Sequence, residues 1–377
     1  MTESLPLRQI GNFEPYYMDF KNQITQEAEQ AIRDKVFPGC VIGIVTRSGE
    51  RQVLPFGGFT YESQSPVVKE DTIYDTASLT KSIPTSSLAL QLIDDEKLKL
   101  MGRLIDYIPE FNNSDREDVL IKHLLTYTLD GYGLASAIDG TDGASLHQRT
   151  AADLLNVLLT HDFERRPGTV FKYTNIPAAL LGLVIEKITN STIDKLADEH
   201  LFKPLKMDRS TFYPENFPIE EIVPTESDDW RGLVRGTVHD ESAYICKKEG
   251  KIVGHAGLFS TAPDILNFLE MLLHKGTLLG KTYFSEKIVE QMGANQIPEL
   301  SDSTGLGWEL NQPRYMGEYC TSHTFGKTGF TGTLCVCDVE KGIAYVIFSN
   351  RIFPKRPTDS KAINAFRKKI GEIILAP

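Results

Sequence analysis

The sequence predicts an α/β (α+β) fold: an antiparallel β-sheet built from both chain ends and flanked by helices, with a mostly helical lobe inserted between its two halves. Three observations predict it. Strand patterns are confined to residues 40–56 and 306–348, helical periodicity dominates between about 78 and 285, and each end of the chain carries an amphipathic helical pattern. The division that follows is an extended N-terminal arm over 1–19, a sheet lobe from 20–77 and 286–377, and an inserted helical lobe over 78–285, together forming one unit.

Residues 1–18 are rich in Pro, Gly, Asn and Tyr, the composition of an extended arm. Phe20, Ile24, Ala28, Ala31 and Ile32 then recur at helical spacing until Pro38-Gly39 ends the element. Cys40-Val41-Ile42-Gly43-Ile44-Val45 is a short unbroken apolar run, the pattern of a strand covered on both faces. Ser48-Gly49-Glu50 turns the chain, and Gln52 to Phe56 reads as the hairpin partner. From Ser78 the period becomes helical through Leu88, Leu92 and Ile93. Leu180, Leu183, Val184 and Ile188 form another apolar helical face after Pro177. Thr261-Ala262-Pro263-Asp264 has the form of a capping box, opening a helix with Ile265, Phe268, Leu269 and Leu272 on one side. Strands return at Leu306 to Leu310, Leu334 to Cys337 and Ala344 to Phe348, and Ile363, Phe366, Ile370 and Ile373 mark a last helix.

At 377 residues the chain can bury a substantial core, and 41% hydrophobic with 24% charged residues is the balance of a soluble globular protein. Its 40 Lys plus Arg against 51 Asp plus Glu leave a net charge of −11, with no basic stripe of interleaved aromatics, which argues against nucleic acid as a partner. No segment reads as a signal peptide or a membrane span, so a cytoplasmic location is expected. Cys40, Cys246, Cys320, Cys335 and Cys337 lack metal-ligand spacing; reduced, mostly buried thiols are expected, and no metal or other cofactor.

Three short motifs each occur once. Ser78-Leu79-Thr80-Lys81 places a lysine beside a serine hydroxyl, because positions i and i+3 share a helical face. A serine alcohol is a weak nucleophile until a neighbour takes its proton, and a lysine does so only where its surroundings keep it neutral part of the time. Alone, this spacing also describes an N-cap serine followed by a solvated lysine. Tyr173-Thr174-Asn175 and Lys327-Thr328-Gly329 follow in order. Together the three resemble the serine β-lactamase and penicillin-binding-protein family, whose motif set is S-x-x-K, a second polar triplet and K-T-G. The Tyr-x-Asn form is similar to the class C β-lactamase-like branch, which includes carboxylesterases and D-alanyl peptidases. Phe37-Pro38-Gly39, His123 to Thr126, Gly254 to Thr261 and Gly305 to Glu309 also look like stretches that recur in that family, so the resemblance covers residues 20–375 or so. The fold it implies is β-lactamase/transpeptidase-like.

The resemblance implies a role for each motif residue. Ser78 would be the acyl-accepting nucleophile, and Lys81 would take its proton or hold a neighbouring base by its charge. Tyr173 matches the family's general base; a phenol of ordinary pKa near 10 can serve only if Lys81 and Lys327 stabilise its anion. Asn175 would donate its amide to the substrate carbonyl or orient Lys81. Lys327, Thr328 and Gly329 match the sheet-edge triplet, with Gly329 letting substrate lie against the strand and the Ser78 and Phe330 amides forming the oxyanion hole. Lysine at 327, where many family esterases carry His, leans toward carboxylate-bearing substrates, while the bulk of Phe330 alters the acyl pocket. His239, His255 and His323 read as structural, with His255 a possible cleft residue; Trp308 reads as core, and Arg351, Lys355 and Arg356 as a solvated basic turn.

The function implied is a serine hydrolase that cleaves an ester, a small amide or peptide, or a β-lactam through an acyl-enzyme on Ser78. Lack of an export signal ranks esterase or peptidase activity above resistance β-lactamase. The alternative is an inactive family member acting as a binding or assembly module. Loops near 128–148 and 210–250 would supply the pocket walls, with Asp130 to Gly133 and Gly140 to Gly143 as a mobile rim.

Overall fold

Alternation of side chains across a strand decides how the two apolar layers of this protein form. In the computed structural model, residues 13–111, 116–131, 146–160 and 163–377 are described, with side chains from Phe20 onward. The main helices are α1 (Phe13–Arg33), α2 (Ser87–Asp94), α3 (Ile176–Thr189), α4 (Glu241–Lys248), α5 (Ala262–Leu273) and α6 (Lys361–Leu375), of which α1, α5 and α6 pack on a six-stranded sheet. Its strands are β1 (Gly39–Thr46), β2 (Arg51–Gly57), β3 (Glu309–Leu310), β4 (Phe325–Thr328), β5 (Leu334–Asp338) and β6 (Ile343–Ser349), in the spatial order β2-β1-β6-β5-β4-β3. Every pairing is antiparallel, and β1 joins β6 with Val41 opposite Phe348. The sheet is thus built from both ends of the chain.

Odd and even residues then face different helices. Cys40, Ile42, Ile44, Leu334, Val336, Tyr345 and Ile347 pack with Ile24 and Ala28 of α1 and with Ile363, Phe366 and Ile370 of α6. Val41, Val45, Cys335, Cys337, Val346 and Phe348 face the other way, onto Ile265, Phe268, Leu269 and Leu272 of α5. That second core continues without a break into α3 through Leu180, Leu181 and Val184. Helix α5, placed by the sequence in the inserted segment, therefore belongs against the sheet, and the boundary drawn at 285 falls after it.

Several expectations need correction. The arm drawn over 1–19 ends sooner, because α1 already begins at Phe13; residues 1–12 lie outside the described residues, as do Tyr132 and Gly133 and all of Gly140 to Gly143. The strand expected from Leu306 shrinks to Glu309–Leu310, because Gly307 takes φ +81, a left-handed conformation that interrupts extended backbone. Only half of the expected capping box forms: Thr261 accepts from the Asp264 amide, but the Asp264 carboxylate turns to the Arg209 amide and the Ser210 hydroxyl. Trp308 is fully buried, as expected of a core residue. Four of the cysteines are buried thiols and Cys320 is partly so. No single helix among the described residues is long and apolar enough to cross a membrane.

Candidate active site

Ser78 does not sit in a regular helix. Leu79, Thr80 and Lys81 donate their amides to Thr76, Ala77 and Ser78, a tight run of i→i−3 bonds, and Ala77 just before the serine has φ +49. Regular helix is delayed to α2 because Ile83 takes an extended φ of −123 and ψ of 106. The turn is held from below by Asp75, whose carboxylate accepts the Ala77 amide at 2.8 Å and the His239 amide at 2.8 Å. Burial pushes this carboxyl up to about 6 against the pull of those two amides. The stretch from Gly254 to Thr261 closes the other side: Leu258 accepts from Thr76 and donates to the Thr80 hydroxyl, and Gly254 accepts from the Thr85 hydroxyl.

This clamp brings the three motifs together. Lys81, 1% exposed, donates from Nζ to Ser78 Oγ at 3.0 Å and to the His255 carbonyl at 2.8 Å. Tyr173 is 41% exposed and lines the same cleft as Ser78. Lys327 Nζ lies 3.9 Å and Lys81 Nζ 5.6 Å from the Tyr173 ring centre. Burial opposes ionisation of Tyr173, yet Lys327, Lys81 and the Ser78 hydrogen bond outweigh burial and Glu309 together, so its pKa falls below the ordinary 10. Asn175 Nδ2 donates to Asp240 Oδ2 at 3.2 Å. Asp240 caps α4 and also holds His255 Nε2 and the Ser242 hydroxyl. Despite burial, His255 and those hydrogen bonds keep its carboxyl well below the carboxylate range.

On the sheet side, β3 pairs only with Phe325 and Gly326, so the β4 edge at Lys327 and Thr328 is left open beside Ser78. Lys327 is fully buried and its ammonium is committed to Glu309 at 2.9 Å. Burial works against that charge, but Glu309, Tyr127 and Tyr173 raise the pKa above its usual value. Glu309 also accepts from Tyr315 at 2.9 Å, and Lys327 sits 4.6 Å over Tyr127. The expectation that Lys327 serves a substrate carboxylate is therefore corrected: a carboxylate of the protein already occupies it. The role expected of Gly329 changes too. A Cβ there would collide with Thr333 Oγ1 and with the Thr76 carbonyl, so this glycine lets the strand end lie against the nucleophile turn. Gly329→Ala is expected to cost about 1–3 kcal/mol of stability by overpacking and to lower kcat, read by thermal melting and by ester hydrolysis on the same sample; unchanged kcat would break the link to Ser78.

Ser78, Thr328, Gly329 and Phe330 line one cleft of about 780 Å³ with Tyr173, Asn175, His239 and Asp240. Among the described residues, neither the Ser78 nor the Phe330 amide has an acceptor in the protein. Phe330 stacks on His239, ring centres 5.6 Å apart. Burial pushes the His239 imidazole down to about 4 despite the Glu226 and Asp240 carboxylates, with Arg356 and Arg231 acting in the same direction as burial, so it is a neutral wall. His255 reaches the site through its carbonyl, and His323 Nδ1 lies 3.2 Å from the Gly293 carbonyl. The basic turn is only partly solvated: Lys355 and Arg356 are exposed, but Arg356 is tied to Glu226 and Glu241, and Arg351 is 7% exposed with Nε on the Phe330 carbonyl. Among the described residues no group of His, Cys, Asp and Glu could hold a metal ion.

A family model described as Beta-lactamase matches residues 24–368. The chain belongs to the beta-lactamase family. Its curated relatives include a protein of Escherichia coli K12 named "Putative D-alanyl-D-alanine carboxypeptidase", 26% identical over 362 residues, covering 88% of this chain and 81% of that one. A protein of the same name from Salmonella newport is 28% identical over 323 residues, 78% of this chain and 72% of that one. Among solved structures, the hydrolase EstCE1, described as having promiscuous acyltransferase activity, superposes with a TM-score of 0.75 at 18% identity, covering 95% of this chain and 99% of its own. The penicillin-binding protein homologue of Pyrococcus abyssi gives 0.69 at 22%, covering 88% and 73%. For this beta-lactamase-family chain these likenesses establish the fold, and its membership establishes a serine hydrolase family.

Sequence reasoning gave no role to Glu309, Tyr127, Asp240 or Asp75. Glu309 lay inside a stretch quoted for the resemblance, and a carboxylate within an apolar strand end was the available signal. The others gave none, since each meets its partner from a distant segment.

Proposed function

We propose that this protein is a serine hydrolase that cleaves a small ester or short peptide through an acyl-enzyme on Ser78. The observation that carries it is the cluster at the nucleophile: Lys81 Nζ donates to Ser78 Oγ at 3.0 Å, and Tyr173 lines the same cleft with the ammonium groups of Lys81 and Lys327 at 5.6 and 3.9 Å from its ring centre. In this reading the serine proton passes to Tyr173, whose anion the two lysines stabilise, and Lys81 acts by its charge. Oγ attacks the substrate carbonyl, the oxyanion meets the Ser78 and Phe330 amides, and Tyr173 returns the proton to the leaving group. Water then follows the same route and releases the acid. A carboxylate on the substrate would meet Arg351 at the cleft rather than Lys327, which fits the peptidase names of the relatives.

Intact-mass measurement during turnover of a slow nitrophenyl ester tests the reading. One acyl group per chain is expected, on the peptide that contains Ser78. Saturable turnover with the label on another residue would overturn it.

A further inference from the structure

The oxyanion hole assigned above depends on the orientation of one peptide, between Gly329 and Phe330. In a trans peptide the carbonyl and the N–H point in opposite directions, so whatever holds the carbonyl aims the amide. Here the Gly329 carbonyl accepts from Arg367 Nη2 at 3.1 Å and from the Gly332 amide at 3.2 Å. The same Nη2 reaches the Thr333 carbonyl at 2.8 Å, and Nη1 is steadied by Asn364 at 3.0 Å. One residue further, Arg351 Nε holds the Phe330 carbonyl at 2.9 Å. The loop that carries the Phe330 amide is thus gripped on its carbonyl side by two guanidiniums.

Arg367 is a costly residue to place there. It lies on α6, is 3% exposed, and has no ion pair with a carboxylate among the described residues; Lys368 beside it is far more exposed and pairs with Glu318. A buried cation spent on neutral groups, here two backbone carbonyls and one side-chain amide, is destabilising unless the geometry it imposes is used. A guanidinium spans these partners with two separate nitrogens, Nη2 on both carbonyls and Nη1 on Asn364, whereas a lysine offers them a single nitrogen.

We propose that Arg367 is a positioning residue for the reaction: it fixes the 329–330 peptide so that the Phe330 amide faces the oxyanion formed on Ser78. This inference rests on the acyl-enzyme reading above. Loss of an oxyanion donor costs about 10²–10³ in kcat, and a donor left in place but loosened costs a part of that.

The test uses the full chain and a short nitrophenyl ester, with kcat referred to the titrated Ser78 acylation sites so that unfolded protein does not count. Arg367→Lys and Arg367→Met are each expected to lose about tenfold or more in kcat, with KM within about twofold, although the lysine keeps the charge. Added guanidinium ion is expected to restore part of the rate to Arg367→Ala in a saturable way. A merely structural arginine would lower the melting temperature and the titrated fraction but leave kcat per site unchanged, and that result overturns the proposal. If the Arg367 variants do not fold, Asn364→Ala frees one arm of the guanidinium and is expected to lower kcat per site by about two- to fivefold; an unchanged value sinks the idea equally. A wild-type chain with no Ser78-dependent turnover defeats the acyl-enzyme reading itself, whereas Ser78-dependent turnover with unaffected variants defeats only the role of Arg367.

Discussion

Ser78→Ala is expected to lower kcat for ester hydrolysis by about 10⁴-fold or more, to the level left by binding and the oxyanion donors. Tyr173→Phe removes the proton acceptor and keeps the ring, so its expected loss is about 10²–10⁴-fold. The informative variant is the double. With no serine proton to accept, Tyr173→Phe added to Ser78→Ala is expected to cost nothing further, because the two groups act as a unit. The pH profile gives an independent reading. Tyr173 works as its anion, so kcat/KM rises with pH as the phenol ionises, and the lysines place that limb below pH 10. Tyr173→Phe is expected to lack the limb. A Tyr173→Phe enzyme with wild-type rate would transfer the base role to Lys81.

Glu309→Gln is expected to destabilise the protein by about 3–5 kcal/mol, because it leaves the fully buried Lys327 ammonium without its counter-charge. The effect depends on pH in a defined way. Burial notwithstanding, Lys327, Tyr315 and Arg314 hold the Glu309 carboxyl below its ordinary 4.5. A depressed carboxyl contributes stability above its unfolded value and loses it as pH falls through the folded one. The melting-temperature gap between wild type and variant is therefore widest near neutrality and narrows in acid. Activity carries the opposite sign. Glu309 raises the Tyr173 pKa, so its removal is expected to move the acid limb of kcat/KM to lower pH in whatever fraction stays folded. A variant with wild-type stability at pH 7 would show that Lys327 finds another partner.

Much of the site was legible because its chemistry is written in short motifs. Ser78, Lys81, Tyr173, Asn175 and Lys327 could each be named from neighbours in sequence, and the structure brings them to one cleft. The sheet was legible for a similar reason, since unbroken apolar runs such as Cys40 to Val45 leave little choice of element. What stayed hidden was partnership across the chain. Nothing local says that Asp75 will hold the amide of His239, or that Glu309 will spend the charge of Lys327. Arg351 reads as part of a solvated basic turn and Arg367 carries no signal in the sequence; only packing shows that both grip one loop. Gly329 was misread for the same reason, because the backbone it lies against is some 250 positions away.

A sheet whose first strand is zipped to its last has a consequence during synthesis. When β1 and β2 leave the ribosome, the edge that will receive β6 has no partner, and almost the whole chain separates Val41 from Phe348. At about 5–20 residues per second, that edge waits tens of seconds with apolar side chains on both faces. The nascent hairpin is thus the segment most exposed to wrong pairing. The catalytic centre, which needs Lys327 and α6 from the far end, can assemble only after translation is nearly finished.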